Sequence, residues 1–452
     1  KRTLIGRVDK ETGEIVPTKG TNKKRTKPTD SNAVPVVSAR YFYGATYLLD
    51  RIGETTGVAA DLQACFPNRY KKILSIAYFM VLEDGSPISR FPKWAKLHKH
   101  PFGVAIPSQR ISDLFAAITE EEKMQFFRLQ SKRRKENEYW VYDTTSISSY
   151  SNCLKQVKYG NNKEHDPLAQ INLALLFGED SNLPFYYRKL AGNISDVKTV
   201  KTLLADIDFL GLKKMNLVMD RGFYSEANIN GLYHEHLKFL IGLKQSLSFV
   251  KDQIDKVRDT IRDWINYSEK HELFMTSVTI DWDYSQKRPC KGDTFRGKRR
   301  MYLHIYYNPE KALEDEKKFT QHLLQLHTEL ESGERNPQRE KQYKKYFAIT
   351  STPVRGVKLK VKQQAIDEAK KNYGFFILTS NKIKDAGKAL DIYRNKDLVE
   401  KAFGNLKERL SLRRLEVSSE LSLEGKLFVE FVALIYLSFI KKTMQSKELF
   451  DK

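Results

Sequence analysis

Cysteine is scarce in this chain: three in 452 residues, Cys65, Cys153 and Cys290, far apart. They fit neither a zinc spacing nor a disulfide framework, which excludes a small cross-linked secreted scaffold and favours reduced thiols in a cytosol. Long apolar runs are missing as well. The longest, Leu427 to Ile440, is too short to span a bilayer and contains Glu430, so it reads as a buried helix of a soluble protein with no membrane partner. No signal-peptide pattern is visible, and because the chain opens at Lys1 rather than Met, what precedes it is left open. There is no Gly-rich phosphate loop, no Ser-His-Asp ordering and no internal repeat. His234 and His236 lie two apart on an expected helix and diverge, which makes them poor co-ligands. Negative charge is also short: 56 Asp and Glu stand against 78 Lys and Arg, a net charge of +22. That balance points to a polyanionic partner, most simply nucleic acid.

What is present is ample for packed cores, with 40% apolar and 12% aromatic residues. The length has room for roughly three domains. Thr3–Gly6 and Glu14–Val16 flank a turn at Asp9–Gly13 and predict a small hairpin. Lys19 to Asn32 is polar and holds Lys23-Lys24-Arg25-Thr26-Lys27, either a linker or a basic arm on a phosphate backbone. From Tyr41 to about Asn137 the pattern is helical, with Ile73, Ile76, Ala77 and Met80 on one face and Thr119 with Glu122 as a capping box. Residues 108–118, with Gln109 and Arg110 at the start, resemble the second helix of a helix-turn-helix. The run Lys132-Arg133-Arg134-Lys135 adds positive charge to the same region.

At Tyr139 the period becomes two. Tyr139, Val141 and Asp143 point one way, Trp140 and Tyr142 the other, and Asp143–Ser146 is expected to close the strand. Strands over 169–177 and 185–190, a helix over 196–210, and the apolar run Asn216–Met219 follow. Asp220 ends that run before Arg221-Gly222, as at the end of a central strand. A helix near 225–236 and a strand over 239–243 complete a β-α-β unit, so the sheet should be mixed. Between about Val250 and Lys371 strands 274–283 and 301–307, joined by a basic connection over 287–300, a helix over 309–332 and a strand over 346–351 read as an inserted domain. Strand 375–379 and a short helix over 382–390 resume the main pattern. Residues 393–407 then form one expected helix, with Val399, Phe403, Leu406 and Leu410 as a buried stripe. Tyr393, Lys396, Glu400 and Lys407 lie on a neighbouring face.

Two strand-end aspartates and a glutamate on a later helix can make a pocket of three carboxylates. Crowded carboxylates repel unless cations join them, and hard oxygen ligands select Mg²⁺ or Mn²⁺. Two such ions about 4 Å apart can activate a water or a 3′-hydroxyl and stabilise the leaving oxygen in phosphoryl transfer. Lys396, Lys407 and Arg221 are then candidates to hold substrate phosphates. Asp397 is the alternative third acid on the same helix. Asp281 and Asp283 share a strand face and read as an exposed hairpin.

With these residues the chain resembles bacterial insertion-sequence transposases with an Asp-Asp-Glu site on a ribonuclease-H-like fold. In the subgroup it is most like, the glutamate sits in a Tyr-x2-Arg-x3-Glu-x6-Lys pattern, which Tyr393, Lys396, Glu400 and Lys407 match except for Lys at the Arg position. A lysine contacts phosphate as a point charge, without the planar guanidinium fork; Arg394 is the neighbouring substitute. The family's first and second acids correspond to Asp143 in Tyr142–Thr145 and Asp220 in Asp220–Gly222. The resemblance implies a mixed α/β, ribonuclease-H-like sheet with flanking helices, interrupted by a β-rich insertion and preceded by a helical DNA-binding domain. The expected layout is a hairpin and basic arm over 1–40, a helical DNA-binding domain over 41–137, catalytic parts over 138–249 and 372–452, and the insertion over 250–371. It further implies two Mg²⁺ or Mn²⁺ ions on Asp143, Asp220 and Glu400. DNA contacts are expected from Tyr393, Lys396, Lys407, Arg221, Arg394, Arg110, Lys132, Arg133 and Arg134. The implied partners are double-stranded DNA, as terminal inverted repeats and target, and a second copy in a synaptic homodimer, with a cytoplasmic, nucleoid-associated location. Related members cut and paste, often through hairpin ends. The alternatives are a ribonuclease-H-like nuclease without strand transfer and a catalytically inert DNA-binding descendant.

Overall fold

The computed structural model describes residues 6–17, 39–133, 137–212, 214–288, 292–352, 356–417 and 419–450. The chain divides into two compact units, one up to Tyr41 and one from Phe42 onward. The first holds a hairpin of β1 (Arg7–Val8) and β2 (Ile15–Val16), with Arg7 opposite Val16. Its turn is tied by the Asp9 carboxylate, which accepts from the Glu11 amide at 2.9 Å. The expected hairpin is therefore present, with Arg7–Val8 as its first strand. The basic stretch Lys19 to Asn32 lies outside the described residues.

The second unit opens with six helices: α1 (Gly44–Thr56), α2 (Val58–Cys65), α3 (Tyr70–Leu82), α4 (Phe91–Ala95), α5 (Ser108–Ala116) and α6 (Glu120–Lys132). Each has a reason to form. In α3, Ile73, Ile76, Ala77 and Met80 share a buried face, and at α6 the Thr119–Glu122 capping box is complete, satisfying amides that have no partner inside the helix. The sheet begins with β3 (Tyr139–Ser148), β4 (Gln170–Gly178) and β5 (Pro184–Ala191), followed by α7 (Asp196–Phe209), β6 (Asn216–Met219), α8 (Glu226–His234), β7 (Lys238–Leu243) and α9 (Ser248–Val257). Next come β8 (Tyr267–Ser268), β9 (Leu273–Arg288), β10 (Asp293–Tyr307), α10 (Pro309–Glu331), α11 (Glu340–Tyr346), β11 (Phe347–Thr352), β12 (Gly356–Val361) and α12 (Gln363–Lys370). The chain closes with β13 (Phe375–Ser380), α13 (Ala386–Arg394), α14 (Asp397–Gly404), a π turn over Asn405–Arg409 and α15 (Glu420–Ser446).

One nine-stranded sheet runs β5-β4-β3-β6-β7-β13-β10-β9-β8. β3, β6 and β7 are parallel, while β4, β5 and β13 run against their neighbours, so the architecture is mixed α/β. Four expectations need correction. Asp143 does not close its strand: β3 continues to Ser148, because residues 143–148 go on pairing with Leu175 to Gln170 of β4 after β6 has ended. The basic stretch over 287–300 is mostly ladder and not connection, with Asp293 opposite Arg288 and Arg300 opposite Asp281. Its exposed charges disguise a strand whose backbone is satisfied by its partner. The short helix expected over 382–390 starts only at Ala386, where the Asp385 side chain caps it. The single helix expected over 393–407 is three pieces, described below.

β9 and β10 join this sheet through β13, while α10, α11, α12 and the β11–β12 ribbon surround a smaller core of Leu326, Leu330, Tyr343, Tyr346, Phe347 and Ile366. The main apolar core is continuous from Leu49 on α1 to Leu437 on α15. α15 is buried over most of its length and packs on α3 and α5. Among the described residues no helix is long and apolar enough to cross a membrane. The α5–α15 crossing needs Gly425, since a Cβ there would run into the carbonyl of Phe115. Gly425→Ala is expected to destabilise the fold by about 1–3 kcal/mol through that overlap, read as a lower urea midpoint. An unchanged midpoint would show that the two helices separate at no cost.

Candidate active site

The site lies where two neighbouring parallel strands part. The last register pair of β3 and β6 is Tyr142 with Met219, so Asp143 and Asp220 are the next residues on adjoining strands. Beyond this point β6 gives way to a 3-10 turn over Arg221–Phe223. The freed edge of β3 is covered by a side chain that local pattern reading missed. Lys163, from the β3–β4 loop, donates to the Thr144 carbonyl at 2.7 Å and to the Thr144 hydroxyl at 2.8 Å. Its ammonium also lies 3.4 Å from Asp143 and 3.2 Å from Asp196, the first residue of α7. Asp196 in turn accepts from the Thr144 hydroxyl at 2.5 Å. Neither Lys163 nor Asp196 carries a motif. The one available signal was a cation in a polar loop that has to fold back beside the first acid.

The third wall comes from the late helices. α13 ends at Arg394, and i+3 bonds from the Lys396 amide to Tyr393 and from Leu398 to Asn395 tighten the junction. The Asn395 side-chain amide donates to Glu179 at the same junction. α14 then seats Val399 and Phe403 against β3 and β4 and turns Glu400 outward. The buried stripe is as expected, since Leu406 and Leu410 are buried too.

Despite the break, Tyr393, Lys396 and Glu400 converge. The Tyr393 hydroxyl donates to Asp220 at 2.7 Å. Its ring can reach that far because position 242 of β7 is glycine: a Cβ there would stand 2.7 Å from the Tyr393 oxygen. The Lys396 ammonium lies 4.0 Å from Asp220 and 3.2 Å from Glu400, bridging strand end and helix. Burial pushes the Asp220 carboxyl up, but Tyr393, Lys396 and the Arg221 amide together hold it below the ordinary range. Burial raises Asp143 instead, and Lys163 only partly offsets it. Burial works against the Lys396 ammonium, yet Asp220 and Glu400 keep it above its usual range. The paired aspartates are thus electrostatically unequal.

The other candidates are scattered. Lys407 falls in the π turn, is 10% exposed, and pairs at 2.7 Å with Glu164, the neighbour of Lys163. Arg221 is exposed beside Asp220, and Arg394 is exposed with no ion pair among the described residues. Asp397 is also exposed. Arg110 sits on the open side of α5, paired with Asp113, and Lys132 is exposed at the end of α6. Arg133 instead folds back, with two nitrogens on the buried Asp61 at 2.8 and 2.5 Å. Arg134 lies outside the described residues.

Among the described residues no three His, Cys, Asp or Glu side chains converge closely enough to hold one ion. The donor set nevertheless suits a hard divalent cation. Asp143 and Asp220 offer carboxylate oxygens from adjoining strands, and Lys163 and Lys396 fill the gaps between acid pairs with positive charge.

The family model of the transposase DDE domain matches residues 125–436. Among solved structures the chain is similar to the cryo-EM structure of a piggyBac transposase synaptic complex with hairpin DNA, at 12% identity and a TM-score of 0.39. That similarity covers 88% of this chain and 67% of that one. No curated protein matches.

Proposed function

The chain belongs to the DDE transposase family, and we propose that Asp143, Asp220 and Glu400 are the acids with which it cuts transposon ends and joins them to target DNA. DDE transposases are enzymes that depend on divalent cations. The observation that carries the assignment is the strand register: Asp143 and Asp220 stand directly after the last β3–β6 pair, and Lys396 links Asp220 to Glu400.

Two Mg²⁺ or Mn²⁺ ions held by these acids would activate the attacking water or 3′-hydroxyl and stabilise the leaving oxygen. The chain's own side chains set the stage for this. Tyr393 fixes one oxygen of Asp220. Lys163 and Lys396 neutralise the acids before DNA arrives and can turn toward phosphate oxygens when cations replace them. Arg221 adds an exposed cation at the same edge. Lys407 and Arg394 are read as DNA contacts further out, as are Arg110 and Lys132 on the helical segment 41–137. The order β5-β4-β3-β6-β7 is read as the ribonuclease-H-like part of the sheet, with 250–371 as its insertion. Terminal repeats and target DNA as substrates, a homodimer in the synapse and a nucleoid location belong to the same reading.

The test is to incubate the full chain with DNA bearing its own element's ends, Mg²⁺ and a target plasmid. Excised ends joined to the plasmid are the expected result. Cleavage without joining would point to a nuclease, and binding without cleavage to an inert descendant.

A further inference from the structure

The helix that carries Glu400 has a second face, lined with cations. Leu398, Lys401, Ala402 and Asn405 lie on the side of α14 turned away from Glu400, as their spacing in a 3.6-residue repeat requires. There they line a cavity of about 420 Å³ between α14, the π turn and the last turns of α15. The size is that of a small-molecule site and far exceeds what a bare ion needs. Its apolar part is formed by Leu398 and the exposed ring of Phe450 over the buried Phe177 and Ala402. Its polar part carries Lys401, Arg409, Lys441 and Lys442, and none of the lining residues is acidic.

The charges are poorly compensated. The Lys442 ammonium donates only to the carbonyls of Asp180 and Ser181, each at 3.0 Å, and Lys441 to the side-chain oxygen of Asn405. The side chains of Lys401 and Arg409 have no hydrogen bond or ion pair among the described residues. Burial, then the nearness of Arg409 and Lys401, pushes the Lys441 ammonium down, while the exposed Glu408 only partly opposes this. Like charges held together around apolar surface repel one another unless an anion visits. An apolar floor beside a cationic rim suits an anion with a flat organic body.

We propose that this cavity is a nucleotide-binding site separate from the acids, taking a phosphate on its Lys401–Arg409 rim and the attached sugar and base against Leu398 and Phe450. The nucleotide is either one unit of a DNA strand or a free mononucleotide. The proposal rests on the DNA reading only for its choice of ligand.

The experiment compares Lys401→Gln/Arg409→Gln with Lys311→Gln/Lys317→Gln, a matched loss of two exposed cations on α10, in the full chain. Anisotropy of a short labelled thymidine oligonucleotide is followed against salt, with thymidine 5′-monophosphate as competitor. The cavity variant should lose about tenfold in affinity, as for one or two charge-assisted contacts. Its salt slope should fall by about 0.7 for each phosphate contact removed. The control should change less than about twofold, as for a general charge effect. Displacement by the mononucleotide, lost in the cavity variant, identifies a free nucleotide as a ligand; an oligonucleotide effect alone identifies a strand. Equal losses in both variants, or none in either, overturn the proposal. Glu400→Gln separates the two readings. If it abolishes cleavage while the cavity variant binds normally, only the cavity assignment fails. If the wild type never cleaves but the cavity variant loses binding, only the catalytic reading fails.

Discussion

Glu400→Gln is expected to lower Mg²⁺-dependent cleavage of element ends by about 10²–10³-fold or more, while DNA binding stays within about twofold. The side chain is more than half exposed, and its one polar contact among the described residues is the Lys396 ammonium at 3.2 Å, so the amide costs the fold little. What it loses is a negatively charged oxygen at the proposed cation site. Asp143→Asn should have an effect of the same size for the same reason. Lys163 still has Asp196 and the Thr144 oxygens as partners in that variant, so folding should survive. Single-turnover cleavage, measured beside binding to the same DNA, checks both. Cleavage at the wild-type rate in either variant would remove that acid from the site. A parallel fall in binding and cleavage would instead assign it to DNA positioning.

The second large effect concerns stability. Glu430 on α15 is completely buried, and both its carboxylate oxygens lack hydrogen bonds. Lys426, one turn earlier, is 3.7 Å away, within ion-pair range but too far for a hydrogen bond. Burial pushes the Glu430 carboxyl up to about 7, against the pull of Lys426 and with a smaller push from Glu416. The sign follows directly. Between an unfolded value near 4.5 and the folded value near 7 the native chain holds a proton that the unfolded chain has lost, so stability falls as pH rises through that window. From pH 5 to pH 8 this one group should remove about 2–3 kcal/mol. Glu430→Gln keeps the shape and cannot ionise. Urea unfolding at both pH values should therefore show a smaller loss in the variant than in the wild type, by about that amount. Identical pH dependence in the two proteins would mean that Glu430 is solvated or neutralised in the native state.

Much of the site could be read locally. A continuous apolar run ending in Asp220 identified a central strand end, because a strand covered on both faces leaves no place for polar residues until it emerges. The buried stripe of Val399, Phe403, Leu406 and Leu410 was legible for a similar reason, as helical period reports one-sided burial. The break at Asn395 was not, since its side chain meets Glu179, far away in sequence. Nor was the full length of β3. Thr144 to Ser148 remain strand because β4 supplies partners, and the alternating pattern cannot say which neighbour ends first.

By itself, then, the sequence determined the basic charge, the mixed order of strands and helices, and the pattern that makes Asp143, Asp220 and Glu400 the proposed acids. These depend on residue type and on periodicities a few residues long. Only the tertiary structure decided that Lys163 and Asp196 crowd the first acid, that Arg133 serves Asp61, and that Lys407 turns to Glu164. Only it put a cationic cavity behind α14. A charged side chain takes the partner that chain crossings bring within a few ångströms, and those crossings are set by how the whole core packs.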